Sequence, residues 1–271
     1  MSIIEILGFA GAALIGISLG LIGGGGSILT VPVLVYLLSV EPVLATAYSL
    51  FIVGISSLIG GINYARKGLV DFKTGIVFTI PAFIAVYLTR LWLVPSLPDS
   101  WFSIGSLEIT KDVGILLLFA FLMLFASYSM IRDKKKKLDE EEQEEVKPKF
   151  NIPMIIVEGA VVGTLTGLVG AGGGFLIIPA LVIFAKLPMK MAVGTSLLII
   201  AAKSLIGFIG DIQADQPIDW SFLLIFSAIS VIGIFVGSYL SAFIEGEKLK
   251  KGFGWFVLVM GTFMIVKELF L

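Results

Sequence analysis

The chain is a succession of apolar runs, each about as long as a lipid bilayer is thick. Ten fall between charged or proline-containing breaks, at roughly 3–22, 27–39, 43–64, 72–93, 112–131, 152–172, 175–187, 189–211, 219–244 and 250–270. A helix needs about 20 apolar residues to cross the hydrocarbon core. With no water at that depth, every backbone N–H and C=O must be paired inside the segment. The sequence therefore predicts an all-α integral membrane protein. Composition agrees: 58% of the 271 residues are hydrophobic and 14% are charged, more apolar surface than a soluble domain of this size can hide. The opening "MSIIEILGFAGAALIGISLG" carries Glu5 and no basic residue. A signal peptide begins with positive charge, so this stretch reads as a retained first helix. The net charge of -1 points to no nucleic-acid partner. The absence of cysteine and histidine removes thiol chemistry, disulfides and His/Cys metal sites. It also removes the easiest proton carrier near neutral pH, and no cofactor is implied.

The two sets of five segments are separated by "RDKKKKLDEEEQEEVKPK", Arg132–Lys149, with seven basic and seven acidic residues. Such a run is solvated. Three units follow: a first membrane repeat at 1–131, a charged linker at 132–150 and a second repeat at 151–271. The lysine block beside a membrane segment places the linker in the cytoplasm. Alternation then puts Arg66, Lys67, Lys73, Lys186, Lys190 and the run 245–252 inside as well. The stretches 92–111 and 211–219 fall outside, with both termini. The predicted location is the cytoplasmic membrane, crossed many times.

The halves are copies. Shifted by 147 residues, Gly20–Ile62 aligns with Gly167–Ile209 without a gap, with 18 identities in 43 positions. The matches include Gly23/Gly170, Gly25/Gly172, Gly26/Gly173, Pro32/Pro179, Ser49/Ser196, Ser57/Ser204 and Gly60/Gly207. With one residue inserted, Val70–Phe72 then matches Ile218–Trp220. Five segments is an odd number, so the second copy enters the membrane from the opposite side. The predicted fold is an inverted-topology repeat of two five-segment halves. In secondary transporters of this design the substrate lies near the midplane between the repeats.

Each half carries a glycine break, "GLIGGGGSILTVP" from Gly20 and "GLVGAGGGFLIIP" from Gly167. The following segment spans 13 residues, about 20 Å as a helix, too short to cross. Each break with its flanking helices forms a hairpin containing a half-helix. A helix start offers unpaired N–H groups and a positive dipole end, both suited to an anion. The candidate binding residues are Gly23, Gly24, Gly25, Gly26 and Ser27 in one break, and Gly172, Gly173 and Gly174 in the other. Close helix packing is the competing use of such glycines. No lysine followed by serine or threonine completes a P-loop here.

Polar residues inside the segments extend the site. Ser49, Thr195 and Ser196 are candidates for substrate contact, ahead of Ser57 and Ser204; interhelical hydrogen bonding is the alternative. Lys203 sits among apolar neighbours, where an ionisable group is by default functional. It either neutralises a bound anion and carries a coupling proton, or snorkels to the outer surface. Glu158 either carries a coupling proton or lies at the interface. Arg90, with Trp92 and Trp101, reads as an interfacial anchor. No hydrolase triad or metal cluster is visible, so no enzymatic activity is expected.

The paired glycine stretches, each followed by A-x-x-x-S-L (Ala45–Leu50 and Ala192–Leu197), resemble the TauE/SafE family of membrane permeases across essentially the whole chain. The resemblance implies a transporter embedded in the lipid bilayer that exports a small anion: sulfite, sulfoacetate or a related organosulfonate, driven by the proton gradient. By the motif match, Gly23–Ser27, Gly170–Gly174, Ser49 and Ser196 would lie near its site. Related thiosulfate importers rely on membrane cysteines, which this chain lacks. The residues alone equally suit an importer, a carrier of a carboxylate or sulfate, or an anion channel.

Overall fold

The computed structural model describes residues 3–104, 107–131, 152–170, 172–174, 177–178, 181, 185, 187–240, 243 and 246–270. The charged run 132–150, Lys186 and most of the segment 175–187 lie outside the described residues.

Helix follows the apolar runs closely. The elements are α1 (Ile3–Ile22), α2 (Ser27–Leu37), α3 (Pro42–Arg66), α4 (Phe72–Ser96), α5 (Lys111–Ile131), α6 (Ile152–Val169), α7 (Met189–Gln213), α8 (Trp220–Leu240) and α9 (Gly246–Phe270). Five of them (α3, α4, α7, α8 and Lys111–Tyr128 of α5) are long and apolar enough to cross a membrane. Their surface is inverted relative to a soluble protein. On α4, Ile76, Ile80, Ile84 and Leu88 recur every fourth residue and are all exposed, as are Phe121 and Phe125 on α5. The hydroxyls of Ser49, Ser56, Ser57, Thr195, Ser196 and Ser204 are buried instead. An apolar face of this extent needs a non-aqueous neighbour, and the chain is a multi-pass membrane protein.

Helix pairing is set by small residues. Gly16 and Gly20 of α1 meet the Gly233-x-x-x-Gly237 face of α8: a Cβ at Gly16 would strike the Ser230 carbonyl oxygen, and one at Gly20 the Ile234 carbonyl. On α6, Gly159, Gly163 and Gly167 press against Pro81, Ala82 and Thr89 of α4 in the same way. Small residues four apart let helix backbones approach, which is how membrane helices associate without a hydrophobic drive between them. Further close pairs include α3 with α7, α5 with α9 and α4 with α7.

The starts of α4 and α8 are fixed by side chains. Asp71 accepts from the Thr74 N–H at 2.9 Å to cap α4, and Asp219 accepts from the Phe222 N–H at 3.1 Å to cap α8. Asp71→Ala is expected to lower stability by about 1 kcal/mol, visible as a lower unfolding temperature of the detergent-purified protein.

The stretch expected as a plain external loop after segment 72–93 has structure of its own. The helix runs on through a π-helical turn, Thr89–Leu93, to Ser96. An antiparallel hairpin follows, β1 (Ser100–Ile104) on β2 (Leu107–Thr110). "SWFSI" and "LEIT" are rich in β-branched and aromatic residues, and Trp101 lies over Gly114 of α5, where a larger residue would strike its ring.

Candidate functional site

The two glycine stretches come together between α3 and α7. Gly172 lies where an added Cβ would be 3.2 Å from the Ser27 Cβ and 2.7 Å from Val53 Cγ1. The breaks differ locally. After α1 the chain turns at Gly23, with φ +74°, and continues as a 3₁₀ helix over Gly23–Leu29 that includes Gly24, Gly25, Gly26 and Ser27. The first break is thus a tightened helix rather than a gap. After α6 the chain leaves helix at Gly170, turns through Gly172 and Gly173, and is helical again at Gly174. The Ile177 N–H donates to the Gly173 carbonyl at 3.0 Å.

Cross-contacts lock this arrangement. A Cβ at Gly23 would lie 2.6 Å from Val193 Cγ1 on α7, and one at Gly170 would run into the Thr46 backbone on α3. Ser49 Oγ donates to the Gly170 carbonyl at 2.6 Å, tying α3 to the second break. Ser196 Oγ instead donates to the Val193 carbonyl of its own helix, at 2.8 Å. Thr195 Oγ1 accepts from the Asp71 N–H at 2.9 Å, and the Tyr48 hydroxyl accepts from the Asp219 N–H at 2.7 Å. Thr195 therefore holds the start of α4.

Lys203 closes the second break. It is fully buried, so its chain does not snorkel to the surface. Its Nζ donates to Thr166 Oγ1 at 2.7 Å and lies 3.1 Å from the position a Gly173 Cβ would take. No carboxylate lies within ion-pair distance of it among the described residues. Ser57 and Ser204, placed second by the sequence, are buried with hydroxyls that find no partner among the described residues. Glu158 is partly exposed on α6 and away from this cluster.

Arg90 corrects the sequence reading. It is not an interfacial anchor but has 0% exposure, and its Nη1 donates to Asp211 Oδ1 at 3.3 Å. Because α4 continues to Ser96, Arg90 lies more than a turn inside the helix end. Nearby, the Tyr87 hydroxyl donates to Gln213 Oε1.

A cavity of about 230 Å³ opens on the other end of α7, between it and the start of α4. Its walls are mainly apolar, with Phe72, Ile76 and Ile80 of the exposed α4 face on one side and Leu198, Ile199 and Ala202 of α7 on the other; Asp71, Thr79 and Thr195 are its few polar residues.

A helical bundle with an apolar exterior and a buried amine at mid-helix belongs to the class of multi-pass membrane proteins. Comparison with known proteins then identifies the family. The family described as "Sulfite exporter TauE/SafE" matches residues 8–268, and the chain belongs to it. A "Probable membrane transporter protein" of Xylella fastidiosa (strain 9a5c) is 30% identical over 270 residues, 97% of this chain and 95% of the relative. "Probable membrane transporter protein YunE" of Bacillus subtilis (strain 168) is 28% identical over 246 residues, 85% of each chain. This is a family of probable membrane transporters, not of enzymes. No solved structure matches the chain.

Proposed function

We propose that the protein is a secondary transporter that exports a small sulfur-containing anion, such as sulfite, sulfoacetate or a related organosulfonate, by alternating access coupled to protons. The observation that carries this is Lys203: a buried amine set against the turn at Gly173, with a single hydroxyl partner among the described residues. A buried ammonium without a counter-ion is costly, and an anion held by the glycine turns and Lys203 supplies that counter-ion. Backbone N–H groups and a point charge suit a tetrahedral oxyanion. Substrate class and direction come from the family's description.

The inverted repeat is part of the proposal, and the pairing pattern supports it. Positions related by the 147-residue shift make reciprocal contacts: Gly23 with Val193 and Gly170 with Thr46, Gly60 with Leu197 and Gly207 with Leu50. The capping bonds from Tyr48 and Thr195 are reciprocal too. Such exchange is what a two-fold axis between halves 1–131 and 151–271 produces. With the linker 132–150 cytoplasmic and both termini external, Thr195 lies on the cytoplasmic side of α7, and Ser27, Gly172, Gly173 and Lys203 form the occluded centre. Lys203 is the favoured proton carrier and Glu158 the weaker one.

Efflux of sulfite and sulfoacetate from proteoliposomes, with and without a pH gradient, tests this. The expected result is saturable efflux that the gradient accelerates. Unsaturated, gradient-independent flux would make the protein a channel, and transport of a carboxylate in place of both sulfur anions would overturn the substrate class.

A further inference from the structure

We propose that Arg90 is a second anion-binding station, outward of Lys203 on the path of the transported ion. This deepens the export reading and rests on it.

The Arg90–Asp211 pair is poorly built for a purely structural role. Arginine and a carboxylate commonly pair through two parallel bonds of about 2.7–2.9 Å. Here one bond of 3.3 Å joins them. Arg90 Nε and Nη2 and Asp211 Oδ2 are buried with no hydrogen-bond partner among the described residues. Buried polar groups are nearly always satisfied, and an exception calls for a reason. The Nε–Nη2 edge presents two parallel N–H donors, the geometry that grips two oxygens of a sulfonate, sulfite or carboxylate. Asp211 meanwhile balances the charge and keeps the guanidinium folded into the protein.

Placement links the pair to the centre. Lys203 and Asp211 are eight residues apart on α7, about 12 Å along the axis. Gly207 and Gly210 lie between them at helical spacings that share one face. That face is closed by α4: Arg90 Cβ and the Tyr87 carbonyl lie 3.0 and 3.3 Å from where a Gly210 Cβ would sit, and Val86 covers Gly207 at 3.0 Å. In this proposal an ion leaving Lys203 outward reaches Arg90 along this face when α4, with Val86, draws back from α7. The shared helix therefore carries, in order, the Thr195 cavity, the Lys203 centre and the Arg90 pair.

Three variants of the full chain test the assignment, with sodium sulfite and sodium sulfoacetate as probes. Affinity is read from the anion-induced rise in unfolding temperature, with sodium chloride as the control for ionic strength. Arg90→Lys keeps a cation opposite Asp211 but loses the two-donor edge, and is expected to weaken binding about tenfold. The double variant Arg90→Gln with Asp211→Asn removes the pair without leaving a lone charge. It is expected to fold and yet bind about tenfold more weakly. Asp211→Asn alone removes the internal competitor and is expected to tighten binding. Wild-type affinity in all variants that fold would overturn the station and leave the pair structural. If Lys203→Met abolishes binding while the Arg90 variants bind normally, only this inference fails. If the wild-type protein binds neither anion, the export reading fails with it.

Discussion

Replacing Lys203 by Met is expected to abolish measurable binding of sulfite and sulfoacetate and to reduce efflux about a hundredfold or more, as losing a buried ligand-paired charge does. Methionine keeps most of the stem volume and removes the charge. Because the amine bonds only to Thr166 Oγ1 among the described residues, nothing charged is orphaned by its removal. The ligand-free variant should therefore unfold at a higher temperature than the parent, since burying an amine, protonated or neutral, costs more than burying a thioether. Loss of transport with a gain in stability is the signature of a residue kept for its ligand. Undiminished transport would make Lys203 a packing residue.

The second large effect is expected at Gly170. Its φ of +69° is costly for any residue with a Cβ, by about 1–2 kcal/mol. A Cβ there also meets the backbone oxygen and Cα of Thr46, which cannot rotate away. Helix α3 cannot retreat either, because Ser49 bonds the Gly170 carbonyl and α3 is packed on α7. Gly170→Ala is expected to cost about 3 kcal/mol or more, strain and overpacking together. Gly23→Ala carries similar strain at φ +74°, but its obstacle is one methyl of Val193, which a rotamer change moves aside. The two variants should therefore differ in unfolding temperature, with Gly170→Ala the lower. Equal losses would show that the two breaks tolerate a side chain alike.

Much of this architecture is legible in the sequence because membrane physics leaves few options. An apolar run of about 20 residues has to be a helix, and the observed ends fall close to the charged and proline breaks. The glycines announced the breaks, but not their shapes. Gly25 and Gly26 match Gly172 and Gly173 in sequence, yet one pair sits in a 3₁₀ helix and the other in a turn with positive φ. Glycine permits both, so neighbours decide. Arg90 misled for a related reason. Beside Trp92 and Trp101 it reads as an anchor at the end of a span, yet the helix runs on through the π-helical turn at Thr89–Leu93 to Ser96 and leaves Arg90 buried. Its partner Asp211 is 121 residues away, and no local pattern announces such a pairing. The hairpin at Ser100–Thr110 was hidden by its shortness: two strands of five and four residues give too little alternation to stand out.

The glycine faces that join α1 to α8 and α6 to α4 have a mechanical consequence. Helices seated backbone on backbone leave no layer of side chains between them, so each couple is joined over its length at the closest distance helices reach. Each couple takes one helix from 1–131 and one from 151–271, so the two stretches are interleaved in the fold. A gene cut at the charged run would yield two polypeptides, neither of which carries both members of either couple.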